Sequence, residues 1–262
     1  MNNEDRDSTS VVDPDEGESR SSRSRKKKKH LPVWQETVLL LGIALVLAIV
    51  IKALFVQAFY IPSESMEPGL VKNDRILVQK VSYWGGGHPE RGDVVVFKDP
   101  GDWLSPEESA GPQSGLARLM AKVGLYPSGG HLVKRVIGVE GDVITCCDKQ
   151  GRISVNGQPL DEASYVKEKG LDCNGPMVYR CEKDWTAGPV PKGHVFVMGD
   201  NRGHSADSSA HMCRSDETDC VPGDEFVATD LVVGKVFVRL WPSDRFAWVH
   251  RPDTFADVPD PS

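Results

Sequence analysis

The chain begins with a polar segment, continues with one long apolar run, and then changes to short stretches of alternating or β-branched apolar residues. Residues 37–51 carry no charge and are nearly all Leu, Ile, Val, Ala or Gly. As a helix they span only about 22 Å, less than the roughly 30 Å hydrocarbon core of a bilayer. Residues 35–57 reach that length if Lys52 extends its ammonium to the interface. We therefore predict a membrane-spanning helix in a signal-anchor segment, residues 34–58.

The rest of the chain has the pattern of a β protein. Short apolar or alternating segments, separated by Gly- and Pro-containing turns, are typical of antiparallel strands. These segments are residues 75–84, 93–99, 131–139, 153–160, 194–200 and 230–241. Only residues 115–125 have a helical pattern, within a Pro-, Gly- and Ser-rich insertion at 100–130. We predict a mainly β fold, an antiparallel β-sheet domain with a smaller inserted β cap, tethered by one N-terminal transmembrane helix.

Composition refines the domain boundaries. The N-terminal residues are acidic and Ser-rich and end in the basic sequence RSRKKKKH, with almost nothing apolar to bury, which is typical of disorder. The predicted divisions are a disordered tail at 1–33, the anchor at 34–58, a core domain at 59–144 and 192–250, an inserted cap at 145–191 and a C-terminal tail at 251–262.

The charges around the apolar run predict its orientation. Seven Lys and Arg residues lie between positions 20 and 29, and only Lys52 lies near the other end. The positive-inside rule therefore places the N-terminus in the cytoplasm and the β domain outside. A removable secretory signal, cleaved after residues 56–58, is the competing interpretation, although the apolar run exceeds the roughly 7–15 residues usual for such a signal. Both interpretations export the rest of the chain.

The cysteines agree with export, because all of them follow the apolar run and their number is even. They are Cys146, Cys147, Cys173, Cys181, Cys213 and Cys220. Cys213 and Cys220 can close a short loop, and we expect the other four to pair among themselves in a connectivity that the sequence leaves open. Their spacing does not match a zinc site, so we expect no metal. No glycine loop or basic aromatic patch indicates nucleotides or nucleic acid.

The stretch IPSESMEPGL, residues 61–70, directly follows the anchor and contains candidate chemistry. An exported hydrolase needs a nucleophile, a base and donors for the oxyanion. Ser63 and Ser65 are candidates, because Pro62 and Pro68 restrict the backbone around them. A Ser-x-Ser sequence is also typical of a simple turn.

Two residues could act as the base. His204 lies close in sequence to Asp200 and Asp207, which allows a Ser-His-Asp triad. Lys134 lies in a strand that is apolar on both faces and is therefore predicted to be buried. Lowering its pKa from about 10.4 to about 8 corresponds to roughly 3 kcal/mol, within the reach of burial alone. A buried, ion-paired lysine without a catalytic role fits the same pattern.

Four segments, in this order after the anchor, resemble the motifs of the bacterial type I signal peptidases, the serine/lysine leader peptidases of peptidase family S26. They are PSESMEPGL at 62–70, RGDVVVF at 91–97, KRVIGVEGD at 134–142 and GDNRGHSADS at 199–208. The resemblance covers roughly residues 35–241. It implies a membrane-anchored serine endopeptidase that removes signal peptides from exported preproteins at small-x-small sites. We expect a monomer at the phospholipid membrane surface, without a cofactor and without nucleic acid.

The resemblance also implies a role for each matching residue. Ser65 matches the nucleophile and Lys134 the general base. Ser63 matches the serine whose hydroxyl assists the Ser65 backbone N–H in the oxyanion hole, and Ser205 matches the serine that orients the lysine amine. His204 stands at a position that is not catalytic in the family, which usually has Asn there.

The outer part of the site departs from the family. Asp207 and Arg202 match residues that support the site structurally. Gly69 stands where Thr is common, and Ser209 stands where Arg is common. Because the arginine would be a partner for Asp207, we expect Arg202 to serve in its place.

Two other functions remain open. One is a Ser-Lys or Ser-His-Asp peptidase of the same fold with a regulatory or pilin-type substrate. The other is an inactive membrane-tethered binding domain, in which intact Ser65, Lys134 and Ser205 would be unexpected. Incubation with a preprotein and with a small ester separates them, because an inactive binder turns over neither.

Overall fold

The structure is a computed structural model that describes residues 32–101, 103–105, 114–115, 129–167, 185–213 and 218–261. The disordered tail predicted at 1–33 and the helix predicted at 115–125 lie outside the described residues, apart from Pro32, Val33 and Gly115. Cys173 and Cys181 also lie outside them.

One α-helix, α1 (Val33–Phe55), contains the apolar run. Among the described residues it is the helix that is long and apolar enough to cross a membrane. It ends at Phe55 rather than at residue 57, because Val56–Tyr60 form the first strand. Within that strand Gln57 and Ala58 pair with Val78 and Leu77. Cleavage after residue 58 would remove most of this strand, which favours the uncleaved anchor.

Twelve strands follow in the described part of the chain. They are β1 (Val56–Tyr60), β2 (Arg75–Gln79), β3 (Val94–Lys98), β4 (His131–Gly138), β5 (Ile144–Cys146), β6 (Ser154–Val155), β7 (Gln158–Pro159), β8 (Trp185–Ala187), β9 (His194–Met198), β10 (Val227–Ala228), β11 (Val232–Trp241) and β12 (Ala247–Trp248). The main sheet has the order β1-β2-β11-β3-β4-β9-β10, with β12 beside β11, and a second sheet has the order β7-β6-β5-β8. The prediction of a mainly antiparallel β fold with a smaller second sheet is confirmed.

Strand β4 lies at the centre of the main sheet, between β3 and β9. Its residue Lys134 is the register partner of Val95 in β3. Leu132 and Val136 belong to an apolar cluster with Val95 and other buried residues, whereas Ile137 packs with residues of the second sheet. Apolar packing on both sides therefore buries the strand, as its sequence predicts.

The C-terminal segment, residues 249–261, packs against both sheets. Phe255 and Val258 are buried in the apolar cluster of the second sheet. The Thr254 hydroxyl accepts the Asp161 N–H at 2.7 Å, next to strand β7. The Arg91 guanidinium, before β3, donates to the Val258 carbonyl at 3.4 Å. The segment thus joins the start of β3 in the main sheet to the second sheet.

Cys213 and Cys220 form a disulfide with their Cα atoms 5.4 Å apart, and it closes the short loop expected from the sequence. The structure also joins Cys146 to Cys147, within the segment in which we expected the other cysteines to pair.

Candidate active site

Ser65 lies in the connection between β1 and β2, with its side chain 6% exposed. The neighbouring Met66 and Leu70 are buried in the apolar core of the main sheet. Within the connection the Leu70 N–H donates to the Met66 carbonyl at 2.9 Å, and the Glu67 N–H donates to the Glu64 carbonyl at 3.0 Å. The two apolar side chains and these turns hold the segment against the core, which directs Ser65 inward.

The Ser65 hydroxyl meets two other polar groups. Lys134 Nζ lies 2.7 Å from Ser65 Oγ, although the two residues are 69 positions apart in sequence. Lys134 is only 4% exposed. The Ser63 hydroxyl lies 3.3 Å from Ser65 Oγ. The structure thus brings together three of the predicted site residues, an amine and two hydroxyls.

Residues 199–209, a segment that follows β9, pack against the backbone of Ser65. The Asn201 N–H donates to the Ser65 carbonyl at 3.0 Å. Gly199 allows the close approach, because a Cβ atom there would lie 2.3 Å from Ser205 Oγ and 2.5 Å from the Ser65 carbonyl oxygen. A glycine is therefore required at position 199, because the Ser205 side chain and the Ser65 backbone both lie against it.

Ser205 and Asp207 form a buried hydrogen-bonded group within this segment. The Ser205 hydroxyl donates to the Asp207 carboxylate, which also accepts the Gly199 N–H at 2.8 Å. The second carboxylate oxygen accepts the Ser209 N–H at 3.1 Å and the Ser209 hydroxyl at 2.7 Å. Asp207 therefore fixes both ends of the segment. The orientation of the Lys134 amine by Ser205 stays a prediction.

The partners in the outer part of the site differ from those that we expected. Arg202 pairs with Glu162, at 3.1 Å through Nη1 and 2.5 Å through Nη2, and its Nε donates to the Gly199 carbonyl at 2.9 Å. Ser209, which stands in place of the arginine, itself donates to Asp207. Two serine hydroxyls, those of Ser205 and Ser209, and two backbone amides thus satisfy the Asp207 carboxylate. Arg202 is bound to a different acid, Glu162.

A second buried ion pair lies next to Lys134. Arg135 binds Asp200 through Nε at 2.8 Å and Nη2 at 2.6 Å, and its guanidinium lies over the Tyr165 ring at 4.5 Å. Burial disfavours the Arg135 cation, but Asp200 outweighs this effect and raises its pKa above the ordinary value. Burial also raises the pKa of Tyr165, and the Glu162 carboxylate adds to the shift. Arg135 therefore stays charged and Tyr165 neutral at any working pH.

Sequence reasoning missed Glu162, Tyr165 and the pairing of Arg135 with Asp200. An arginine in a strand that is otherwise apolar was a signal that a buried acid must lie nearby, because a buried charge needs a partner. Nothing in the sequence pattern identified Glu162, which lies 40 positions from Arg202.

His204, the alternative base, occupies a different environment. Its side chain is exposed, and its backbone N–H donates to the Asn201 carbonyl at 3.0 Å. The buried group at the Ser65 hydroxyl is Lys134. The geometry therefore favours the Ser-Lys arrangement over the Ser-His-Asp triad.

The chain is similar in sequence to known proteins of one family. A family model described as signal peptidase, peptidase S26, matches residues 34–241. A signal peptidase I of Mycobacterium tuberculosis is 36% identical over 251 residues, which cover 90% of this chain and 83% of that protein. A signal peptidase I of Leptolyngbya laminosa is 32% identical over 216 residues, covering 82% of this chain and 83% of that protein. A crystal structure of a signal peptidase I from Enterococcus faecalis is 24% identical, with a TM-score of 0.30, and covers 56% of this chain and 95% of that chain.

Proposed function

The chain belongs to the peptidase S26 family of signal peptidases, and from this premise we propose that Ser65 and Lys134 form its catalytic dyad. The protein is a signal peptidase I, a serine peptidase that removes signal peptides from exported preproteins. The observation that best supports the proposed dyad is the distance of 2.7 Å between Lys134 Nζ and Ser65 Oγ. Both residues are buried.

In the proposed mechanism the neutral Lys134 amine accepts the Ser65 proton as Oγ attacks the scissile carbonyl carbon. The carbon–nitrogen bond then breaks, the Lys134 ammonium returns the proton to the leaving amine, and the mature protein departs. The signal peptide stays bound to Ser65 as an ester. Lys134 then takes a proton from water as the water oxygen attacks the ester carbon, and it passes this proton to Ser65 Oγ as the ester bond breaks and the signal peptide leaves. The burial of Lys134 supports this role, because burial disfavours the ammonium form of a lysine.

Two donors would stabilise the oxyanion that forms on the attacked carbonyl. We assign these donors as the Ser65 N–H and the Ser63 hydroxyl. The position of the Ser63 hydroxyl, 3.3 Å from Ser65 Oγ, supports the assignment, because negative charge develops beside the attacking oxygen.

Ser205 would orient the Lys134 amine. Because its own proton is donated to Asp207, the remaining lone pairs of Ser205 Oγ are available to accept an N–H from Lys134. The nitrogen lone pair of the amine would then face the Ser65 hydroxyl. Asp207 and Arg202 support the site by fixing the segment that carries Ser205.

Helix α1 would anchor the enzyme, with the N-terminus in the cytoplasm and the β domain outside. The seven Lys and Arg residues before the helix support this orientation. The active site is built by one chain, since Ser63, Ser65 and Lys134 all belong to it, so we propose a monomer. The substrate would bind in an extended conformation, with small residues at −3 and −1 of the cleavage site, as the family resemblance implies.

Exposed aromatic residues support a phospholipid surface as a second partner. Trp248, in β12, is 59% exposed. Its ring centroid lies 6.1 Å from that of Phe246, an exposed residue directly before β12. Trp84 is also exposed and lies 5.7 Å from Phe55, the last residue of α1. Trp rings favour the interface between water and lipid, and Phe is typical of the apolar face that a membrane-bound segment buries there.

The choice of base is tested by two alanine variants. We expect Lys134→Ala to abolish cleavage of a purified preprotein in detergent, because no other group would accept the Ser65 proton. His204→Ala is the matched control and should keep cleavage within about threefold of the wild type, since an exposed side chain contributes little to the transition state. The reverse result, an inactive His204→Ala and an active Lys134→Ala, would refute the dyad in favour of a triad.

A further inference from the structure

Asn201 lies directly behind the nucleophile and is 0% exposed. Its backbone N–H donates to the Ser65 carbonyl at 3.0 Å. Its side-chain Nδ2 donates to the Glu64 carbonyl, also at 3.0 Å. One asparagine therefore binds the carbonyl before Ser65 and the carbonyl of Ser65 itself.

The bond to Glu64 acts on the peptide group that contains the Ser65 N–H. A trans peptide group is planar, and its carbonyl and its N–H point in opposite directions. A hydrogen bond that fixes the Glu64 carbonyl therefore also fixes the direction of the Ser65 N–H on the other side. A bonded carbonyl also makes the N–H of the same peptide group a stronger donor, because hydrogen bonds in a chain polarise one another.

We propose that Asn201 is a positioning residue of the oxyanion hole, which holds the Glu64–Ser65 peptide group so that the Ser65 N–H is directed at the developing oxyanion. The proposal rests on the proposed function of Ser65 as the nucleophile. Asn201 binds the backbone carbonyls of Glu64 and Ser65, and it acts through that backbone.

The orientation of the Asn201 amide follows from its chemistry. With the amide turned over, Oδ1 would face the Glu64 carbonyl, and two acceptors would repel each other. In the observed orientation no group among the described residues donates to the buried Oδ1. An unpaired buried acceptor costs free energy, so fold stability alone does not explain an amide at this position.

The backbone of Asn201 is held on both sides. Asp200 before it is bound by Arg135 in two hydrogen bonds, at 2.8 and 2.6 Å. Arg202 after it is bound by Glu162, at 3.1 and 2.5 Å. Two buried ion pairs therefore fix the segment from which the Asn201 side chain reaches Glu64. A positioning residue needs such a rigid backbone.

The test compares Asn201→Asp and Asn201→Ala with the wild type in the full-length, detergent-solubilised protein. Asn201→Asp keeps the shape but replaces the Nδ2 donor with an oxygen, and Asn201→Ala removes the whole amide. We expect kcat for a preprotein to fall about 10- to 100-fold, because loss of an oxyanion donor costs about 10²–10³ and here the donor is only misdirected. KM should stay within about twofold.

A peptide aldehyde provides the readout that a purely structural role would not change. Its carbonyl carbon adds to Ser65 Oγ, the serine proton passes to Lys134, and the resulting oxyanion needs the Ser65 N–H. We expect the aldehyde to bind the Asn201 variants more weakly in proportion to the loss in kcat/KM. The corresponding peptide with an unreactive amide in place of the aldehyde should bind them as it binds the wild type.

Asn156→Ala is the matched control, because Asn156 also donates a side-chain amide to a backbone carbonyl, that of Pro259 at 2.9 Å. Asn156 lies in the turn between β6 and β7 of the second sheet. The variant should lose thermal stability and keep kcat for the folded enzyme. An unchanged kcat in both folded Asn201 variants, or equal weakening of the aldehyde and the amide peptide, would overturn the proposal. If Ser65→Ala itself still cleaves and still binds the aldehyde covalently, the nucleophile assignment fails instead.

Discussion

Gly199 is the residue whose lack of a side chain matters most to the site. A Cβ atom there would approach the Ser65 carbonyl oxygen to 2.5 Å and the Ser205 side chain to 2.3 Å. A backbone oxygen cannot rotate away, so relief of the contact requires that the two segments separate. Gly69 differs, because its Cβ would lie no closer than 3.6 Å to any other group.

We expect Gly199→Ala to reduce preprotein cleavage at least about 100-fold, since a shift of the reacting groups by about 1 Å can cost that much. Gly69→Ala should cleave at the wild-type rate and raise the free energy of unfolding by about 0.4–1 kcal/mol, because alanine restricts the unfolded chain. Cleavage rates and denaturant unfolding of both variants measure this difference. Equal activity of the two variants would contradict the close packing at Gly199.

The sequence predicted the inner residues of the site better than the outer ones. Lys134 was a candidate because its strand is apolar on both faces, and the structure buries it beside Ser65. The partner of Arg202 could not be predicted, because Glu162 belongs to a different segment and only the fold brings the two together. The replacement of the usual arginine by Ser209 did not reveal that the serine hydroxyl itself would bind Asp207.

The ends of the elements depend on pairing that the sequence pattern does not contain. The stretch VQAFY fits the end of a helix as well as a strand, and its pairing with β2 decides the matter. Strand β2 ends at Gln79, before the 3-10 turn Val81–Gly86, although the alternation predicted a longer strand. Gly85 and Gly86 adopt φ values of 65° and 98° there, a backbone conformation that favours glycine.

Asp93, at the start of β3, joins three elements through one buried carboxylate. Lys235 of β11 pairs with it at 2.6 Å and Arg251 of the C-terminal segment at 2.5 Å. The Tyr83 hydroxyl donates to it at 3.0 Å. Burial disfavours the Asp93 carboxylate, but the hydrogen bonds from Arg251 and Lys235 outweigh burial and hold its pKa below the ordinary value.

This shift predicts how the stability depends on pH. Because the pKa is lower in the folded state, the unfolded state binds the proton more readily, and the contribution of Asp93 is complete only above the ordinary carboxyl pKa of about 3.9. It is lost as the pH falls through the lower, folded value. We expect urea unfolding between pH 7 and pH 2 to show a smaller loss of stability on acidification for Asp93→Asn than for the wild type. Asp257→Asn is the control, because Asp257 is exposed. If both variants lost the same stability on acidification, this would contradict the role of Asp93 in the pH dependence.

Across the protein, the second sheet supports the active site. Residues that follow β7 contact the segment that carries Ser65: Val166 forms a β-bridge with Pro68, and Lys167 pairs with Glu67 at 2.9 Å. Glu162 in the same segment binds Arg202. The sequence predicted the inserted cap, but contacts between residues about 100 positions apart follow only from the fold. The second sheet and the residues that follow β7 are thus part of the structure that positions the candidate site.

The most direct measurement is the cleavage of a model preprotein by the full-length wild type and by Ser65→Ala, in detergent, with N-terminal sequencing of the product. The wild type should release a mature protein that begins immediately after a small-x-small site. Ser65→Ala should release none while it unfolds at the wild-type temperature. Cleavage at the same site by Ser65→Ala would contradict the assignment of Ser65 as the nucleophile.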